Sequence, residues 1–345
     1  MFVWYLRCNC INKRCPSFKK EIKAIFKIDE IREASSYLRN RIVETPVLKL
    51  SGTKISPYLP AAKSVAIKLE LFQHVGSFKA RGVLLAIKSL GSSEKKSGVI
   101  AVSAGNHALA VAWASHLSGI NAKVIMPKSA DKSRIDGCKA FGVEPVLVDT
   151  ASDGFEKMGE LASKEGRTIL HPFESEHMIL GAATCGLEMI ESIPNMDIAI
   201  IPVGGGGLIS GISLGIKSIK PSVKIFGVEP FGADSTFQSL AQDTPVSLDK
   251  VKTIADSLGS PMSLPETFSI IKTSVEEILR ITDNELVKSM ILMRDKLSMF
   301  VEPACASSLA ALNGPMEQKV RESNVALIAC GSNITQEKFQ RLCNY

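Results

Sequence analysis

From about residue 64 onward the chain alternates short, densely apolar runs with longer stretches rich in helix formers. Residues 64–71, 98–102, 123–126, 146–148 and 168–170 have the length and β-branched content of strands. Between them, residues 107–114 read His-Ala-Leu-Ala-Val-Ala-Trp-Ala, a helical composition that stops at Gly119. Residues 131–140 form a second such segment, closed by Gly142, and helices are expected again over 155–164 and 178–190. The alternation then repeats with a strongly apolar strand at 197–203, a helix at 208–219 and a strand at 223–228. Strands this apolar are covered on both faces. Helices between them impose parallel pairing, so the pattern predicts a parallel α/β sheet. No internal repeat, low-complexity segment or long linker marks a domain boundary.

Composition adds bounds. At 345 residues the chain is long for one compact core, and one large domain or two interlocked ones is the expectation. Hydrophobic residues make up 45% and charged residues 22%, as in ordinary globular proteins. The formal charge of +6 is mild. Much of it sits in the first twenty residues, where Arg7, Lys13, Arg14, Lys19 and Lys20 face no acid. A local excess without an aromatic platform does not make a nucleic-acid surface, and no nucleic-acid partner is expected. No apolar run is long enough for a bilayer, so no membrane partner is expected either. Eight cysteines are too sparse for a secreted disulfide scaffold, and a reducing, cytoplasmic compartment fits them better. Cys8, Cys10 and Cys15 crowd the N-terminus without a fourth ligand at zinc-like spacing. Residues 1–25 read as a tail, with a mitochondrial transit peptide as the lesser alternative.

Ligands in such sheets bind where strands end and helices begin. Three of these turns stand out. In Val203-Gly204-Gly205-Gly206-Gly207-Leu208 four glycines follow a buried strand and open a helix. Close backbone approach and the helix N-terminus suit a phosphate, although a plain tight turn has the same sequence requirement. Ser103-Ala104-Gly105-Asn106-His107 offers backbone donors, a hydroxyl and an amide at another strand-to-helix turn. It suits a carboxylate, or it is simply a capped helix start. Gly76-Ser77-Phe78-Lys79-Ala80-Arg81-Gly82 places a lysine after the strand at 64–71. Most lysines are merely solvated. A nucleophilic one needs desolvation or a nearby cation, for which Phe78 and Arg81 are the candidates.

Taken together and in this order, the three segments resemble the fold-type II family of pyridoxal-phosphate enzymes, and in particular its serine/threonine dehydratase branch. The resemblance extends from Glu44-Thr45-Pro46-Val47 to Val301-Glu302-Pro303-Ala304-Cys305 and Cys330-Gly331-Ser332-Asn333-Ile334. It implies a tryptophan synthase β-like fold: two open parallel-sheet α/β domains with pyridoxal 5'-phosphate in the cleft between them. The small domain would be residues 98–173. The large, cofactor-binding domain would combine 26–97 with 174–345.

The resemblance also implies roles. Lys79 is expected to hold the cofactor as a Schiff base and to take the substrate Cα proton. Phe78 would pack near the ring, Asn106 would bond its 3-oxygen, and Gly204, Gly205, Gly206, Gly207 and Leu208 would cradle the phosphate. Cys330 would face the pyridine nitrogen as a neutral partner, which is compatible with its also being a buried core cysteine. Ser103, Ala104, Gly105 and His107 would grip the substrate carboxylate. Glu229, with carbonyls of Ala233, Leu258 and Ser260, resembles a cation site for K+ or Mg2+. A Glu in an ordinary salt bridge at a strand end is the alternative.

The implied reaction is dehydration of L-serine or L-threonine to a 2-oxo acid and ammonia. Ala80 stands where β-replacement relatives carry an aspartate, and Ala104 where racemases carry a second, serine base. Serine racemisation with side elimination is the first alternative. A non-catalytic amino-acid-binding protein on the same fold is the second. Ala108-Leu109 and Gly181-Ala182-Ala183-Thr184 depart from the family's usual residues, so the substrate side chain stays open, up to the size of phenylserine. A homodimer is expected by the same resemblance.

Overall fold

The computed structural model describes residues 26–343; the N-terminal tail with Cys8, Cys10 and Cys15 lies outside the described residues. From N- to C-terminus the strands are β1 (Val47–Lys49), β2 (Ser64–Lys68), β3 (Val99–Val102), β4 (Ala122–Pro127), β5 (Val146–Val148), β6 (Thr168–Ile169), β7 (Ile198–Pro202), β8 (Lys224–Pro230), β9 (Glu277–Ile281) and β10 (Asn324–Ile328). They form two sheets. One has the order β1-β2-β10-β7-β8-β9 and the other β5-β4-β3-β6. All pairings are parallel except that of β1 with β2. The α/β class expected from the apolar runs is therefore the observed one, with a short antiparallel strand on one edge.

The apolar runs became central strands because helices cover both faces. Every residue of β7 is buried, as is every residue of β8 after Lys224. The helices Glu176–Ser192 and Gly207–Lys217 pack so closely that glycine is required at the crossing. A Cβ on Gly211 would lie 2.2 Å from the Ile179 carbonyl oxygen, and one on Gly215 would lie 2.2 Å from that of Ala183. This fixes how the helix after the glycine tetrad lies against its neighbour.

Three boundaries differ from the sequence pattern. The run at 64–71 is a strand only as far as Lys68; Glu70–Phe72 turns as a single 3-10 turn, because the Glu70 side chain is drawn inward to Arg81. Pro127 ends β4 from within, and β8 continues to Pro230. β9 and β10 are strands beyond those the apolar runs predict, and β10 is central, between β2 and β7.

That order positions the site. β2, β10 and β7 are neighbours, and their carboxyl ends lead to Lys79, to Cys330 and to the glycine tetrad respectively. β3, in the other sheet, leads to Ser103–His107 across the cleft. Among the described residues no helix is long and apolar enough to cross a membrane.

Candidate active site

A cavity of about 600 Å³ opens where these strand ends meet. Its wall includes Phe78, Lys79, Asn106, Gly205 and Cys330, so segments more than 200 positions apart are brought to one place. Ser103, Ala104, Gly105 and His107 line it, as do Gly206, Gly207 and Leu208. Gly204 packs instead against Ser257 and Leu258. Leu258 and Ser260 reach the wall, whereas Glu229 and Ala233 do not.

Lys79 opens the helix Lys79–Ser89. Its backbone is bolted beside Cys330: Ser77 bridges Gly331, and the Phe78 amide donates to the Cys330 carbonyl at 3.3 Å. The ammonium donates to the Pro172 carbonyl and stands 4.9 Å from the centre of the Phe78 ring. Burial pulls its pKa down to about 8, against a smaller upward pull from the Glu302 carboxylate. Phe78 is thus the apolar wall that the sequence suggested. Arg81 is not the activating cation. Positions two apart on a helix do not share a face, and the guanidinium is buried on another side. There it makes two bonds of 2.8 Å to Glu70 and bonds of 2.6 and 2.7 Å to Glu188.

The tetrad has the form of an anion cradle. Gly206 has φ +85°, and a Cβ on Gly205 would meet the Phe173 ring at 2.3 Å, so neither position tolerates a side chain. The helix Gly207–Lys217 starts here, with first-turn amides that have no partner inside the helix. Together with a desolvated lysine, this donor set fits a phosphorylated carbonyl cofactor.

Two lining residues carry buried polar atoms with no hydrogen-bond partner among the described residues, His107 Nδ1 and Glu302 Oε2. His107 Nε2 lies 2.9 Å from the Leu170 carbonyl, which can only accept, so Nε2 carries the hydrogen. Burial and the Lys79 charge hold this imidazole neutral, with its pKa lowered to about 3. It has only a lone pair left to offer. Cys330 remains a neutral thiol: its hydrogen bond with Cys305, together with burial, raises its pKa well above the usual range.

Glu229 is wholly buried, and its oxygens accept from the amides of Thr236 (3.0 Å) and Phe237 (2.8 Å). Burial raises it to about 7. It caps the helix Ser235–Gln242 rather than forming the salt bridge considered from sequence, and it is Asp234 that pairs with Arg280, at 3.2 Å. Among the described residues no group of three or more His, Cys, Asp or Glu side chains is arranged to hold a metal.

Sequence reading did not single out Arg134. Its Nη1 donates to Asn106 Oδ1 at 2.8 Å, and its Nη2 donates to the Asn333 carbonyl. Glu302 and Asn333 were visible within motifs, but not their task. Glu302 accepts from Asn106 Nδ2 at 2.8 Å and from Ser257 at 3.2 Å, and burial raises its pKa.

Two open α/β units with a lysine-bearing cavity at their strand ends define the fold-type II architecture. Residues 38–331 match the family described as pyridoxal-phosphate dependent enzyme. A phenylserine dehydratase of Ralstonia pickettii is 38% identical over 304 residues, 88% of this chain and 92% of that protein. A serine racemase of Schizosaccharomyces pombe is 34% identical, covering 90% and 95%. The structure of the processed form of threonine deaminase isoform 2 from Solanum lycopersicum superposes with a TM-score of 0.85 at 29% identity, covering 92% of each chain. The chain belongs to the pyridoxal-phosphate dependent enzymes, in the serine/threonine dehydratase family.

Proposed function

We propose that this enzyme is an L-serine/L-threonine ammonia-lyase, which removes water from the substrate and releases a 2-oxo acid and ammonia. The carrying observation is the desolvated Lys79, with a pKa near 8, in one cavity with an anion cradle and a neutral thiol. The bound cofactor would supply the electron sink for a Cα carbanion. Lys79 would anchor it and, once released by the incoming amino acid, would take the Cα proton; a lysine poised near neutral pH suits that task. The amides at Gly205, Gly206, Gly207 and Leu208 would hold its phosphate, with Gly204 supporting the turn. Phe78 would pack near its ring, and the Cys330 thiol would face its ring nitrogen without protonating it. The substrate carboxylate would rest on the backbone amides of Ala104, Asn106 and His107 within the 103–107 turn, since Ser103 and Gly105 already donate elsewhere and the His107 imidazole offers only a lone pair.

Glu229, with carbonyls of Ala233, Leu258 and Ser260, is the proposed place for K+ or Mg2+. Units 26–97 with 174–345 and 98–173 would close on the ligand, and the enzyme would act as a cytoplasmic homodimer. A second reading, serine racemisation, is favoured by the S. pombe relative. Ala104 speaks against it, because it brings no second base to the cavity.

The test is Lys79→Ala in the purified protein. It is expected to lose both the near-visible absorption of bound cofactor and ammonia release; full activity in this variant overturns the proposal. A panel of serine, threonine, 3-hydroxyaspartate and phenylserine, read by 2-oxo acid formation, sets the side-chain preference. Appreciable D-serine formed from L-serine would shift the assignment to the racemase.

A further inference from the structure

Asn106 is held by three partners, and they are not equivalent. Its Oδ1 receives Arg134 Nη1 at 2.8 Å and Asn333 Nδ2 at 2.7 Å, while its Nδ2 donates to Glu302 at 2.8 Å. A side-chain amide flipped by half a turn exchanges donor and acceptor, so its orientation depends on partners that cannot change role. Glu302 can change: as a carboxylate it accepts, and as a buried acid it can donate. A guanidinium cannot, because it only donates.

Asn333 is also locked. Its Nδ2 donates at 2.6 Å to the carbonyl of Val75, which can only accept. Val75 reaches that place at a cost. It is a β-branched residue at φ +55°, in the left-handed region, where such side chains are strained. The next residue, Gly76, has φ +68°, and a Cβ there would meet Asn333 Oδ1 at 2.9 Å. The turn is shaped around Asn333. Three residues on, the chain reaches Lys79.

We infer that Arg134 and Asn333 are positioning residues that fix the amide of Asn106, so that its second N–H, which has no acceptor among the described residues, is always the group offered to the cavity. Arg134 does this from the helix Lys132–Ala140, on the small-sheet side of the cleft. Asn333 does it from the segment after β10, backed by the strained Val75. The inference rests on the cofactor reading above, in which that N–H meets the 3-oxygen of pyridoxal phosphate.

A donor on this oxygen stabilises its anionic form and lowers the proton affinity of the site. In wild type the pH at which bound-cofactor absorption changes is therefore depressed. In Arg134→Met, only Asn333 still holds the amide, which therefore turns more often whenever Glu302 holds a proton. That midpoint is expected to rise by up to about one pH unit, the size of one hydrogen bond, and Asn333→Ala is expected to move it the same way. kcat should fall more than KM rises. Arg134→Lys keeps a donor that never accepts, and it is expected to bring the midpoint back toward wild type. A merely structural role would not distinguish Lys from Met in this titration. Thermal unfolding of the apo-proteins identifies any variant that has lost its fold, and Asn333→Ala tests the same lock from the other side.

An unmoved midpoint in folded, cofactor-loaded Arg134→Met and Asn333→Ala overturns the inference. So does a Lys variant that matches Met. Neither outcome touches the cofactor reading, whose failure would show as wild-type protein without near-visible absorption.

Discussion

Two clusters of buried and half-buried polar groups flank the lysine helix, similar in size and different in construction. Behind the lysine helix, Lys68, Glu70, Arg81 and Glu188 form a quartet of two cations and two anions. Arg81 binds both carboxylates, Lys68 reaches Glu188 at 2.5 Å, and Thr45 donates to Glu70. In the cleft, Asn106, Arg134, Glu302 and Asn333 form the other cluster. It is linked as densely, but Glu302 Oε2 has no hydrogen-bond partner among the described residues and Arg134 stands 3.8 Å from it. The electrostatics follow the same division. Burial pushes Glu70 up, yet Arg81, Lys68 and Thr45 outweigh it and hold the carboxyl below its usual range. Glu302 is equally buried, and its partners do not outweigh burial, so its carboxyl is held above that range. A buried network whose members are all matched fixes structure; one with an unmatched member keeps capacity for a ligand.

The largest expected effect follows from breaking the matched cluster. Glu70→Ala leaves Arg81 buried with one carboxylate fewer and is expected to cost about 3–5 kcal/mol in urea unfolding. A loss below about 1 kcal/mol would mean that the quartet is not the scaffold described here. The pH dependence carries the same sign. Glu70 has a folded pKa below its ordinary 4.5, so its stabilisation is complete above that value and is lost as pH falls through the folded one. Wild type should therefore lose more stability than Glu70→Gln on acidification below pH 4.5.

The open cluster should respond in the opposite way. Glu302→Gln keeps an acceptor for Asn106 and removes a poorly compensated buried charge, so stability is expected to change by no more than about 1 kcal/mol. Chemistry should move instead. Glu302 supports the Lys79 ammonium, so its neutralisation should lower the Lys79 pKa further below about 8. The rate at which apo-protein takes up pyridoxal phosphate, followed against pH, reads this directly. A midpoint displaced upward would contradict the electrostatic account.

The contrast also explains what the sequence could and could not disclose. Apolar runs such as Ile198–Pro202 announce buried parallel strands because every side chain obeys the same rule. The glycine tetrad and the lysine segment were legible because local geometry and chemistry coincide in consecutive residues. Arg81 misled because adjacency in sequence suggested adjacency in space, and the turn of the helix carried it to the other cluster. Arg134 gave no signal at all. Its bond to Asn106 spans 28 positions, and those linking Asn106 to Glu302 and Asn333 span 196 and 227. The first pairing needs the small sheet folded, and the other two exist only once two sheets face each other. The antiparallel β1 was missed because it lies partly exposed on a sheet edge and ends in Lys49, so it forms no dense apolar run.

The smallest effect concerns the motif that opens the family resemblance, Glu44-Thr45-Pro46-Val47. Thr45 serves the quartet twice: its hydroxyl donates to Glu70 Oε1 at 2.5 Å, and its carbonyl accepts from Lys68 Nζ at 2.7 Å. Thr45→Val removes the first bond, preserves the second and keeps nearly the same shape. Glu70 Oε1 still accepts from Arg81 Nη2 at 2.8 Å, so no charge is orphaned. The expected cost is about 1 kcal/mol, the net value of one ordinary hydrogen bond, because Arg81 keeps the carboxylate paired. Because Thr45 touches only the matched cluster, kcat/KM should stay within about twofold of wild type. A tenfold loss of kcat/KM alongside so small a loss of stability would mean that the quartet transmits to Lys79, and the division between scaffold and site would fail at that point.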